Sequence, residues 1–230
     1  ENEDRIFFWD GYDDVSYWVN ADGSNLTEFP LPGPYDYLDV NVNTSNDYVV
    51  YERYHSSDKG LTVKDPTGNL IWQLTENENL GQHRNPIWSR DGSKIIFNAR
   101  PAPQTSTYNN LFIINSNGTG VIQKTFYNGN HVDEWGRFLG ENVWSYDDRY
   151  IYYKLMNSNQ IIIKDIDNGT EYNYSGVRFP IWIENNYLVS LEGNDSRELI
   201  ISNIDGSYQE TIVVLPDSLS NPSELHFIPN

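Results

Sequence analysis

The side chains in this chain that are able to do chemistry sit in a few short stretches. His131-Val132-Asp133-Glu134-Trp135 brings an imidazole, two carboxylates and an indole into five residues. A zinc helix of the His-Glu-x-x-His type needs a second histidine four positions after the first, and none follows here. His55 and His83 are the other histidines expected between strands, with His226 near the C-terminus. A metal held by His55, His83 and His131 with Asp133 or Glu134 would therefore need the fold to gather its ligands. No cofactor is expected beyond such a channel-bound ion. The chain has no cysteine, which excludes disulfides, thiol catalysis and Cys-ligated zinc. Neither a Gly-x-Ser-x-Gly elbow nor a phosphate-binding loop occurs. Asp165-Ile166-Asp167-Asn168-Gly169 lacks the spaced oxygen ligands of a calcium loop and reads as a turn.

Binding is better supplied than catalysis. Tyr108 and Trp135 offer flat apolar faces with polar edges, suited to sugar rings or to a partner's side chains. Arg84, Arg100 and Arg178 add guanidinium groups. Arg84 and Arg178 each stand two residues before a Pro-Ile-Trp run and are expected to point toward a common axis. There they would hold an anion or, the favoured state, pair with a carboxylate such as Asp39, Glu141 or Glu224. The formal net charge is −18. Such a surface repels phosphate backbones and anionic lipid, so nucleic acid and membrane surfaces are poor partners. No run of about 18 apolar residues exists to insert in a bilayer.

The elements that must position these residues come from an internal repeat. Five apolar strands each run into an Asn/Asp–Gly turn. They are Val15–Val19, Leu61–Lys64, Leu111–Ile114, Ile161–Lys164 and Leu199–Ser202, with turns ending at Gly23, Gly68, Gly118, Gly169 and Gly206. Gly tolerates positive φ and Asn/Asp side chains fold back on the local backbone, so these are hairpin turns. A second apolar strand precedes each one, and a third follows. Ahead of these stands a short strand ending in an apolar or aromatic residue: Val42, Trp88, Trp144 and Trp182, with Phe227 as the fifth copy. The spacing is about 46 residues, so the 230-residue chain holds five units.

Four strands per unit, repeated radially, predict an all-β fold: a five-bladed β-propeller of four-stranded antiparallel blades in one domain, 1–230. The blades are expected at 6–30 plus 223–230, 36–75, 84–126, 138–175 and 177–215. The C-terminal strand around Leu225–Ile228 would close the ring beside Ile6–Trp9 and remove exposed sheet edges. Trp88, Trp144 and Trp182, recurring at one repeat position, read as core between blades.

Pro86-Ile87-Trp88-Ser89-Arg90-Asp91-Gly92-Ser93-Lys94-Ile95-Ile96-Phe97, followed by Leu111–Thr119, resembles the repeat of the TolB-type (WD40-like) propellers. Trp144-Ser145-Tyr146-Asp147-Asp148 and Asn20–Thr27 echo it. The resemblance implies the fold, and a family whose members range from periplasmic scaffolds and metal-dependent lyases to propellers attached to hydrolases. It also suggests a periplasmic, secreted or cell-surface location. In such a blade the second-to-third and fourth-to-first connections share one face, and these are the long ones here: 54–60, 76–84, 99–109 and 127–141. Long loops on a rigid scaffold are where binding is concentrated. That face carries Tyr54, His55, His83, Arg84, Arg100, Tyr108, His131, Trp135 and Arg178. The expected function is a monomeric, non-catalytic module binding a protein or a glycan. The alternatives are a metal-assisted carbohydrate-active enzyme and a regulatory propeller of a larger protein.

Overall fold

The computed structural model describes residues 5–10, 15–31, 37–53, 59–76, 79–101, 109–127, 143–155, 160–174, 177–192 and 198–215. Among these residues are five antiparallel sheets and, at Glu184–Asn186, one 3-10 turn. The first sheet is β1 (Arg5–Asp10), β2 (Val15–Asn20) and β3 (Thr27–Phe29). The second is β4 (Tyr37–Val42), β5 (Val49–Arg53), β6 (Gly60–Lys64) and β7 (Leu70–Thr75). The third is β8 (Leu80–Trp88), β9 (Lys94–Pro101), β10 (Asn110–Asn115) and β11 (Ile122–Gln123). The fourth is β12 (Tyr150–Lys154), β13 (Ile161–Asp165) and β14 (Glu171–Tyr174), with Trp144 bridged to Ile151 ahead of it. The fifth is β15 (Val177–Ile183), β16 (Tyr187–Glu192), β17 (Glu198–Ser202) and β18 (Gln209–Val214). Strands pair in chain order within every sheet, the meander that makes a propeller blade. Residues 216–230, expected to close the first sheet, lie outside the described residues.

Turn chemistry explains why the strands stop where they do. Ser89 and Ser145 each donate from Oγ to an aspartate two residues on, Asp91 and Asp147, at 2.7 Å. The same oxygens accept from the backbone N–H of Lys94 and Tyr150 at 2.9 Å. One side-chain clasp thus forms the first-to-second-strand turn in two sheets. Burial pushes the Asp91 carboxyl up, but hydrogen bonds from Ser93 and Ser89 outweigh it and hold the group at about 2. Asp65, in a third-to-fourth-strand turn, accepts from the backbone N–H of Thr67 and Asn69 at 2.9 Å. The side-chain hydrogen bonds of Asn69 and Thr67 lower it to about 2.

Two compact units share the chain: 1–106 with 111–123, and 107–110 with 124–230. In the first unit, strand alternation gives each sheet two apolar faces. Tyr51 joins Trp18, Phe29 and Val49 against the first sheet, while Val50 joins Trp88, Ile95, Phe97 and Phe112 against the third. Polar clips register the layers: Trp72 Nε1 donates to the Ser116 carbonyl at 2.7 Å, and Asn41 Oδ1 accepts from the Trp88 N–H at 2.9 Å. Turn glycines seat neighbouring side chains. A Cβ on Gly68 would meet Pro30 Cγ at 2.1 Å, and one on Gly118 would meet the Trp72 ring at 2.9 Å. In the second unit Trp182, 1% exposed, packs with Tyr152, Ile163, Leu188 and Ile200. Its Nε1 donates to the buried Val143 carbonyl at 3.0 Å. Trp88 and Trp144 are buried as well.

The opening strands of the sheets differ from the sequence expectation. β8 begins at Leu80, ahead of the start expected at 84, and β9 runs on to Pro101. Much of 76–84 and the beginning of 99–109, expected as loop, is therefore strand. The reason is bulging. One extra residue enters β4 between Leu38 and Asn41, β8 between Arg84 and Ile87, and β15 between Arg178 and Ile181. Pro86 and Pro180 occupy this insertion in β8 and β15, where a residue without an N–H leaves no ladder bond unmade. β8 has a second bulge between Gly81 and Arg84. Gln82 and Asn85 lie in the two bulges of β8 with φ of 51° and 48°.

Candidate functional site

At the end of the second and third sheets where the second and fourth strands finish and the first and third begin, a cavity of about 190 Å³ opens. Glu52 and Arg53 reach it from the end of β5, Lys59 from just before β6, and Glu76 from just after β7. Gly81, Gln82 and Arg84 come from β8, and Arg100 from β9. The cavity lies within the first unit and on the face predicted to carry binding.

Local backbone geometry brings these residues together. The Glu76 N–H donates to the Lys59 carbonyl at 2.8 Å, which ties the two chain segments at the rim. Gly60, the residue after Lys59, has φ of 141°, and a Cβ there would lie 1.9 Å from the Leu74 carbonyl oxygen. Only glycine allows β6 to approach β7 that closely. On the facing sheet, Gly81 pairs with Arg100 and Arg84 with Asn98, so the bulge between them decides how the two arginines are presented. Positive φ at Gln82, a lining residue, is strain for a residue with a Cβ.

Glu52 follows Val50 on the face of β5 that packs against the third sheet, and it is 3% exposed. Its Oε1 lies 3.8 Å from Arg84 Nε, the Arg84 side chain being 15% exposed. Arg84 thus has a carboxylate beside it, that of Glu52; the side chain of Asp39, and Glu141 and Glu224, the partners expected for it, lie outside the described residues. Arg100 Nε is buried and has no hydrogen-bond partner among the described residues. Four cations and two carboxylates line the cavity in a chain of charge −18.

His83 lies beside the cavity rather than on an exposed loop. It is 1% exposed and packs on Phe97 with ring centroids 5.6 Å apart. Neither ring nitrogen has a hydrogen-bond partner among the described residues. Burial lowers its pKa to about 4. His55 and His131 lie outside the described residues, as do Tyr54, Tyr108, Asp133, Glu134 and Trp135, and Arg178 is described only through its backbone in β15. Among the described residues no group of three or more His, Asp or Glu side chains is arranged to hold a metal. Sequence reasoning missed Glu52, Arg53, Lys59 and Glu76. Each stands at the boundary of a strand and an expected long connection, and that placement was the available signal.

No family model matches the sequence, and no curated protein matches it. Solved structures do match in fold. TolB from Acinetobacter baumannii superposes with a TM-score of 0.58 at 14% identity, over 91% of this chain and 52% of that one. A prolyl endopeptidase gives 0.63 at 11% identity, over 94% and 34%. An oligogalacturonate lyase in complex with manganese gives 0.51 at 16% identity, over 97% and 69%. The chain thus spans about half the length of that TolB and about a third of the endopeptidase. The sheets described above have the fold of the TolB-like β-propellers, the family whose repeat the sequence resembles.

Proposed function

We propose that this chain is a binding module, without catalysis of its own, that engages a protein or a glycan at the blade end carrying Arg53, Lys59, Arg84 and Arg100. The observation that carries this reading is the charged cavity at that end. It is built from strand termini and rigid bulges, so the site is held by a scaffold rather than by a loop alone. The connections expected to carry Tyr54, His55, Tyr108, His131 and Trp135 lie outside the described residues and are included in the proposed surface from the sequence alone. Arg178 stands at the matching bulge of β15. A monomer outside the cytoplasm suits the repeat resemblance and the acidic surface.

A test uses the labelled chain on a glycan array and a peptide array, beside the Tyr108→Ala/Trp135→Ala variant. The expected result is a set of ligands lost in the variant while its Tm stays within about 2 °C of the parent, as for surface substitutions. Ligands bound equally by the variant place recognition elsewhere. A bound ligand converted to product on incubation overturns the non-catalytic part of the reading.

A further inference from the structure

The cavity has a definite chemical preference. Its described lining carries two more positive than negative charges, set in a surface that is negative overall. Cationic side chains gathered in one cavity of a strongly acidic chain are not needed for solubility. Glu52 absorbs part of that charge through Arg84, at 3.8 Å. Arg100 keeps a buried Nε–H with no acceptor among the described residues, and a buried donor left unpaired is costly unless a ligand satisfies it. A guanidinium donates two parallel N–H bonds to a carboxylate, which makes a carboxylate the natural acceptor.

Size and lining narrow the ligand. About 190 Å³ is below the roughly 300–1,000 Å³ of a small-molecule pocket, so it admits one functional group and its water rather than a whole ligand. Glu52 and Glu76 disfavour a dianion such as phosphate. A sugar ring is commonly recognised through an aromatic face, and no aromatic residue is among the described lining. Beyond about 10 Å the repulsion of the acidic surface is screened in physiological salt, so a single acidic group is accepted more readily than a polyanion.

Resting on the binding-module reading, we infer that this cavity is a socket for one carboxylate, the Asp or Glu side chain of a partner protein, gripped by Arg100 with Lys59 and Arg53. Arg84 is held back by Glu52 and shapes the wall.

The probe is acetyl-Ala-Ala-Glu-Ala-Ala-amide, titrated against the intact chain while the Arg Nε–H resonances are followed by NMR. Its glutamine counterpart and free galacturonate are the controls. Arg100 Nε–H is expected to shift and saturate in the millimolar range with the glutamate peptide. The glutamine peptide should bind roughly tenfold more weakly, and Arg100→Gln and Lys59→Gln should each weaken the glutamate peptide several-fold with Tm unchanged. Absence of any shift by about 10 mM, or equal shifts with both peptides, overturns the inference. Tighter saturation by galacturonate assigns the socket to an acidic sugar and overturns the partner class. Array ligands that are neutral and indifferent to Arg100→Gln defeat the socket while the binding-module reading survives. Arrays on which the chain binds no ligand at all defeat that reading instead.

Discussion

Burial keeps the His83 imidazole neutral down to about pH 4, against 6.5 for an ordinary histidine. The unfolded chain therefore takes up a proton near pH 6.5 that the folded chain refuses until about pH 4. Between those values the unfolded state binds more protons, so stability falls as pH descends through the window. The loss is on the order of 1–3 kcal/mol. Thermal melts from pH 7 to pH 4 should show it, and His83→Leu should flatten that part of the curve, because the imidazole makes no hydrogen bond to lose among the described residues. An unchanged slope in the variant would mean that other groups carry the dependence. The Asp65 and Asp91 contributions lie lower: their carboxyls are held at about 2 against 3.8, so their stabilisation is lost only as pH falls below about 4.

Turns and bulges are the elements that set this fold, and they were legible to different degrees. The Asn/Asp–Gly hairpins could be read directly, since their chemistry is local. Their second role could not: Gly68 and Gly118 also make room for Pro30 and Trp72 from the neighbouring sheet. Gly23, at the same repeat position with φ of 83°, has nothing within 4 Å of its would-be Cβ. Gly23→Ala should therefore cost about 1–2 kcal/mol from the left-handed backbone alone. Gly68→Ala, with the Pro30 clash added, should lower Tm clearly further in parallel melts. Equal losses would show that the neighbouring sheet yields freely. The strand bulges were hidden because Gly81, Gln82, Asn85 and Pro86 look like loop punctuation. A proline two residues before a repeated tryptophan was the clue that the insertion recurs within a strand.

At the scale of the whole molecule, five meanders of about 46 residues make a propeller, and the matched structures share that fold. The first sheet has three strands among the described residues. The expectation that Leu225-His226-Phe227-Ile228 adds the fourth predicts that a chain ending at Pro216 loses more than about 10 °C in Tm, since a blade would keep an open face and an unpaired edge. A melt superimposable on that of the full chain would remove the closure. No helix among the described residues is long and apolar enough to cross a membrane.

The linear order of residues was enough to determine the number of units, the strand order, the hairpin turns and the burial of Trp88, Trp144 and Trp182. All of these follow from short-range periodicity, repeated often enough to average out local exceptions. The cavity was decided only in three dimensions. Its charges come from the ends of different strands, and a one-residue bulge switches which side a strand residue faces. Which guanidinium Glu52 takes, and which donor Arg100 keeps, depends on neighbours in space that spacing along the chain does not encode.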